Sequence, residues 1–336
     1  MNVMILQAKW PYFFITLLLL LFGRLNSKAQ NLSKEDISRI CIEAKAKIDS
    51  HYVIKEKRSR IQSYLDSHLK AGSYFLYSNP DSLAARLTSD LRKVSNDKHL
   101  YVQYLKGGGQ EQSFDWDAWA KQERMEEVEK NFGFTDLSIL PGNIGYMRIV
   151  ECMNPDRGIK AATSALLFLE NTKGLIIDLR GNGGGYGGLQ DLILTSYFEE
   201  EPVHISTFTS SNAPPNKTYT LPFTVGKRRI GTPLYILTDK KTGSAAEFFA
   251  YTLQTFKKAI IIGEPSAGAA HMNSYYPIGK DFCISISTGA PINPITNTNW
   301  EGTGILPDVP CSPEQAKEKA WLKMKEALDK AEKINK

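Results

Sequence analysis

The chain has 336 residues, 42% hydrophobic and 23% charged, ordinary proportions for a globular protein of one large domain or two smaller ones. Its formal charge of +5 falls to +2 once Lys9, Arg24 and Lys28 of the N-terminal stretch are set aside. So mild a surplus gives no reason to expect a nucleic-acid partner.

At the N-terminus, Lys9 and Trp10 precede an uncharged run from Tyr12 to Phe22. Its eleven residues are too few for an ordinary transmembrane helix. Ser27-Lys28-Ala29 then puts small residues where a signal peptidase requires them. Residues 1–29 therefore read as a secretory signal, with an uncleaved anchor as the alternative. No cysteine follows the cleavage point, so a lipoprotein anchor is not expected. The expectation is an exported chain, periplasmic or extracellular, with no stable membrane anchor once the signal is removed. Export permits disulfides among Cys41, Cys152, Cys283 and Cys311. Their spacing matches no metal motif and no small disulfide scaffold, and no pairing follows from it.

Residues 30–130 read as a helical segment with an edge strand. Ser33 is a candidate N-cap, and Ile37, Ile40, Cys41, Ala44 and Ile48 recur at helical spacing. Asn79-Pro80-Asp81 starts another helix, with Leu83, Leu87, Leu91 and Val94 on one face. Leu100 to Tyr104 reads as a strand, with His99 at its mouth, and Gly107-Gly108-Gly109 as a surface loop. Residues 116–130 form a short helix or linker. From 140 to 312, strands at 144–149, 174–179, 203–208, 234–238 and 259–262 alternate with helical stretches. That order predicts a layered, largely parallel α/β region. Residues 271–289 are more hairpin-like, and a lysine-rich amphipathic helix closes the chain over 313–336.

Two stretches carry the chemistry. The apolar run Gly174-Leu175-Ile176-Ile177-Asp178-Leu179 breaks into Arg180-Gly181-Asn182-Gly183-Gly184-Gly185, four glycines in five positions. Glycines there let the backbone turn sharply or approach another group. The strand at 234–238 leads into Thr242-Gly243-Ser244-Ala245-Ala246-Glu247. Ser-x-x-Glu before an apolar helix is a capping-box signature, so Ser244 has a purely structural reading. A serine at a strand-to-helix turn is also where a nucleophile is displayed. Such a serine needs a base and an oxyanion hole. The candidate bases are His51, His68, His99, His204 and His271.

Taken with Ile262-Gly263-Glu264, these motifs resemble the S41 serine peptidases. That family includes the C-terminal processing peptidases, the tricorn protease core and the interphotoreceptor retinoid-binding protein modules. The match runs from about Ile144 to Pro310, and Asp97-Lys98-His99-Leu100 resembles the N-terminal element of the tricorn- and retinoid-binding-like branch. The resemblance implies a mixed α/β fold, a helical N-terminal segment packed on a ClpP/crotonase-like domain, with no room for a PDZ insert. Ala269 stands where the processing peptidases carry their lysine base, so a Ser–Lys dyad of that kind is absent. The tricorn-like branch instead implies Ser244 as nucleophile, His99 as base and Glu301 as polar support. Its oxyanion hole would be Gly184 or Gly183 N–H with Ala245 N–H. Lys98 departs from the branch, which has a serine before the histidine. His271 is a rival base, and a helix-capping role is the bland alternative for His99. No metal or organic cofactor is implied, and the substrate would be a peptide or protein. The other readings are a non-catalytic carrier of lipophiles or retinoids, and an esterase.

Overall fold

A computed structural model describes residues 31–105, 116–211 and 213–334. The signal reading of residues 1–29 and the Gly107–Gly109 loop lie outside the described residues. At the first helix, Ser33 Oγ accepts Asp36 N–H, and Asp36 accepts Ser33 N–H in return. This reciprocal cap starts α1 (Lys34–His51). Next come α2 (Lys55–Lys70) and α3 (Pro80–Ser95), the latter capped by Asn79 at the predicted break and ended by Asn96 in the left-handed region. The predicted apolar faces of α1 and α3 are buried against Ile278, Phe282, Ile284 and Ile286.

The chain continues with β1 (Tyr101–Tyr104), α4 (Trp116–Glu129), β2 (Phe134–Leu140), β3 (Ile144–Ile149), α5 (Pro155–Phe168) and β4 (Gly174–Asp178). Then come α6 (Leu189–Ser196), β5 (His204–Ser210), β6 (Asn216–Tyr219), β7 (Leu234–Thr238) and α7 (Ala245–Thr255). The C-terminal third holds β8 (Ile260–Gly263), β9 (Met272–Ile278), β10 (Phe282–Ile292), β11 (Val309–Pro310) and α8 (Pro313–Ile334). Strands order as β11-β8-β7-β4-β3-β2 in one sheet, parallel except for β2 against β3. The expected largely parallel α/β region is this sheet. Leu175 and Ile177 of β4 face the core under α5, α6 and α7, whereas Ile176 packs toward Ala316, Ala320 and Met324 of α8. Burial on both faces explains why β4 reads as an unbroken apolar run.

A second, antiparallel sheet orders β1-β10-β5-β6, with β9 also paired to β10. The hairpin expected at 271–289 is β9 and β10. Tyr101 of β1 pairs with Ser285 of β10, so the N-terminal helical segment is tied into a sheet made by residues far along the chain. The four cysteines are unpaired; Cys41, Cys152 and Cys283 are buried. Among the described residues, no helix is long and apolar enough to cross a membrane.

Candidate active site

The site begins with register. β4 and β7 are parallel neighbours that pair Asp178 with Leu237. The glycine loop and the Ser244 turn therefore leave the same end of the sheet, the carboxyl end where open α/β sheets place ligands. Asp178 fixes the start of the loop. It is buried and accepts from Tyr146 Oη (2.7 Å), Arg180 N (3.0 Å) and Arg180 Nε (2.8 Å). Burial pushes its carboxyl up, but the Arg180 and Tyr146 hydrogen bonds outweigh that and hold it below the usual carboxylate range.

Asn182, also buried, shapes the rest of the loop. Its amide donates to Ile149 O (3.0 Å), its Oδ1 accepts Gly184 N–H (2.9 Å), and its carbonyl accepts Gly243 N–H (2.9 Å). Gly184 N–H, expected as one of two alternative oxyanion donors, donates to Asn182 Oδ1 in this structure. Gly184 has a steric role instead. At φ +104°, a Cβ added there would lie 2.6 Å from Ser244 Cβ and 2.8 Å from Gly243 O. Only glycine lets the loop come so close to the serine. Neither Gly183 N–H nor Ala245 N–H is taken by an acceptor among the described residues.

Ser244 stands at φ 51°, ψ −118° immediately before α7. A non-glycine residue in such a backbone costs on the order of 1–3 kcal/mol and persists only where its surroundings enforce it. Ser244 and Glu247 form the capping box that the Ser-x-x-Glu motif predicts, with Glu247 accepting Ser244 N–H, and the serine also lines a cavity. The enforcing group is Glu247, whose fully buried carboxylate accepts Ser244 N–H (2.8 Å), Ala269 N–H (2.9 Å), Gly268 N–H (2.6 Å) and Ser266 Oγ–H (2.5 Å). Ser244 N and Ala269 N share one oxygen of Glu247. The position where a dyad lysine would be rooted is thus beside the serine, and it is alanine. The Ser-x-x-Glu motif marks Glu247 as half of a helix cap but carries no sign of its partners across the loop.

The polar groups contributed by the antiparallel sheet and its loops centre on Asp97. This buried carboxylate accepts His99 N–H (2.9 Å) and Ser287 Oγ–H (2.9 Å) on one oxygen, and Tyr52 Oη–H (3.0 Å) and His271 Nδ1 (2.8 Å) on the other. Burial raises its carboxyl, yet the His271 hydrogen bond and charge, with Ser287 and Tyr52, bring it below the usual range. Glu301 accepts Lys98 N–H (3.0 Å), Ala270 N–H (2.6 Å) and His271 N–H (3.0 Å). Lys98, the residue out of keeping with the branch, meets Glu301 through its backbone, and its ammonium donates to Ala267 O.

The two histidines are placed differently. His271 lines a cavity of about 550 Å³ together with Ser244 and Ala245. His99 is half-buried outside that lining, and its Nδ1 is buried without a hydrogen-bond partner. Asp97, His99 and Glu301 each offer one atom within 4.8 Å of the other two, a set that could converge on a cation. Asp97 already accepts four hydrogen bonds and Glu301 three, so both are committed as acceptors. Burial is the main reason the His99 imidazole sits below its usual 6.5; Glu301 and Asp97 pull it upward, and His271 adds to the lowering. A half-buried, neutral imidazole beside two carboxylates can accept a proton and be stabilised once it holds it.

The model for Peptidase family S41 matches residues 143–311, and one described as the N-terminal domain of Peptidase_S41 in eukaryotic IRBP matches residues 28–131. A carboxy-terminal-processing protease of Bartonella bacilliformis is 27% identical over 172 residues, covering 50% of this chain and 38% of that protein. A carboxy-terminal processing protease of Bacillus subtilis, CtpB, is 27% identical over 157 residues, covering 46% of this chain and 31% of that protein. The chain thus spans about a third of the length of these curated relatives. Among solved structures, the tricorn protease superposes with a TM-score of 0.52 at 12% identity, covering 85% of this chain and 35% of that one. At that identity the likeness is one of fold.

Proposed function

The chain belongs to peptidase family S41, and on that footing we propose that it is an exported serine peptidase acting through an acyl-enzyme on Ser244. The observation that carries this reading is the strained Ser244 turn, clamped by Glu247 against the glycine loop and open to the cavity. In the proposed reaction His99 takes the Ser244 Oγ proton as Oγ bonds to the peptide carbonyl carbon. The carbonyl oxygen becomes an oxyanion facing Ala245 N–H and Gly183 N–H, and each such donor is worth about 3–4 kcal/mol in the transition state. The C–N bond then breaks, and the imidazolium gives its proton to the departing amine. Water, deprotonated by the same imidazole, attacks the ester carbonyl carbon; the C–Oγ bond breaks, Ser244 Oγ takes the proton back from the imidazolium, and the acid leaves. Glu301 supports the histidine, as a carboxylate does in related serine hydrolases.

A second assignment of the base is favoured by one contact. His271 Nδ1 lies 2.8 Å from Asp97 Oδ2 and its ring lines the Ser244 cavity, the arrangement of a histidine oriented by a carboxylate. A carrier of apolar ligands draws support from the apolar walls of the cavity and the match of the N-terminal residues. Labelling with a fluorophosphonate separates catalysis from carriage. Wild type should be labelled and Ser244→Ala should not. Equal labelling of both would remove Ser244 as the nucleophile, and a folded wild type that takes no label but binds retinoid or fatty acid would be a carrier.

A further inference from the structure

The cavity beside Ser244 has a composition that its walls alone do not explain. Phe208, Phe248, Pro291 and Trp300 make it apolar, yet Asp191 also lines it. Asp191 lies in the first turn of α6, where a carboxylate can complement the helix dipole or cap free amides. It does neither by contact. Among the described residues no hydrogen bond and no ion pair reaches its carboxylate, although its backbone N–H donates to Gly188 O in the ordinary way. Burial alone pushes its carboxyl up to about 6, with no neighbouring charge or donor acting on it. A half-buried carboxylate that lines a cavity with apolar walls and has no partner of its own is stabilised by a cation brought to it.

We propose that Asp191 makes this cavity a subsite for a cationic side chain, so that the preferred peptide bonds are those whose acyl side is contributed by lysine or arginine. The inference rests on the reading of Ser244 as nucleophile, because the cavity reaches Asp191 from the serine. A lysine or arginine suits such a space: its methylene stem covers apolar wall while its charged head continues to the carboxylate. About 550 Å³ is ample for one such side chain and too small for a folded segment. A leucine or phenylalanine would fill the walls equally well but leave the half-buried Asp191 unpaired. Discrimination therefore comes from the unpaired carboxylate more than from shape.

The test uses the full chain and two peptidyl diphenyl phosphonates identical except for lysine or norleucine at the reacting position. Wild type should react at least tenfold faster with the lysine reagent, and in Asp191→Asn that ratio should fall close to one. Asparagine keeps the shape and removes an unpaired, half-buried charge, so the variant is expected to fold. A wild-type ratio near one, or a ratio that survives in Asp191→Asn, overturns the subsite. Fluorophosphonate labelling in the same preparation keeps the two readings apart. Labelling without lysine preference sinks the subsite and leaves the nucleophile standing. Should no phosphonate react, benzamidine decides the subsite: a rise in Tm for wild type that is lost in Asp191→Asn supports it, and no rise in either disposes of it.

Discussion

His99→Ala is expected to lower kcat/KM by about a thousandfold or more, because loss of the base in a serine hydrolase removes most of the catalysis the nucleophile can deliver. His271→Ala is expected to cost much less in rate. Its main effect would be on stability, since it takes one of four hydrogen-bond donors from the buried Asp97. The pH profile sharpens the comparison. The imidazole must be neutral to accept the Ser244 proton, and burial holds His99 below 6.5. The rate should therefore rise with pH through a midpoint below 6.5, and be already near its plateau at neutral pH. Steady-state kinetics of both variants across pH would check this. A thousandfold loss in His271→Ala with a mild effect in His99→Ala would move the base to the His271–Asp97 pair.

Much of this site was legible in the residues because its signals are local. The apolar run of β4, the glycines after it and the serine before α7 each sit within a dozen positions, and their periodicity and turn chemistry survive translation into sequence terms. What escaped lies in contacts that sequence patterns cannot encode. In the sequence Asp97 is only a neighbour of His99, yet it meets His271 and Ser287 across 174 and 190 positions. Gly184 illustrates the opposite failure. Its need to be glycine was readable, but the direction of its N–H was not, because the acceptor is a side chain two residues back that also reaches across to Ile149. His271 had no motif around it. It enters the cavity because β9 begins one residue later and its backbone N–H is held by Glu301.

Glu247 is where stability and chemistry are joined. Glu247→Ala is expected to lower unfolding free energy by about 3–5 kcal/mol, the range for removing one partner from a buried charged network. The alanine leaves three backbone N–H groups and the Ser266 hydroxyl without their acceptor, in a position closed to water. Ser266 Oγ also accepts Ile305 N–H (2.6 Å), so the disturbance spreads to the segment after Glu301. Glu247→Gln preserves volume but turns an amide NH₂ toward N–H donors, so it should fall between alanine and wild type in stability. Urea unfolding measures both. Activity should fall as well, even where the variant remains folded, because nothing else among these contacts holds Ser244 at φ 51°. Released, the serine would relax to a negative φ and withdraw its hydroxyl from the cavity. The rate of fluorophosphonate labelling, taken under conditions where Glu247→Gln is fully folded, reads that step separately from stability. A variant that loses stability yet labels at the wild-type rate would show that the glycine loop, through its close approach at Gly184, is sufficient to hold the nucleophile in place.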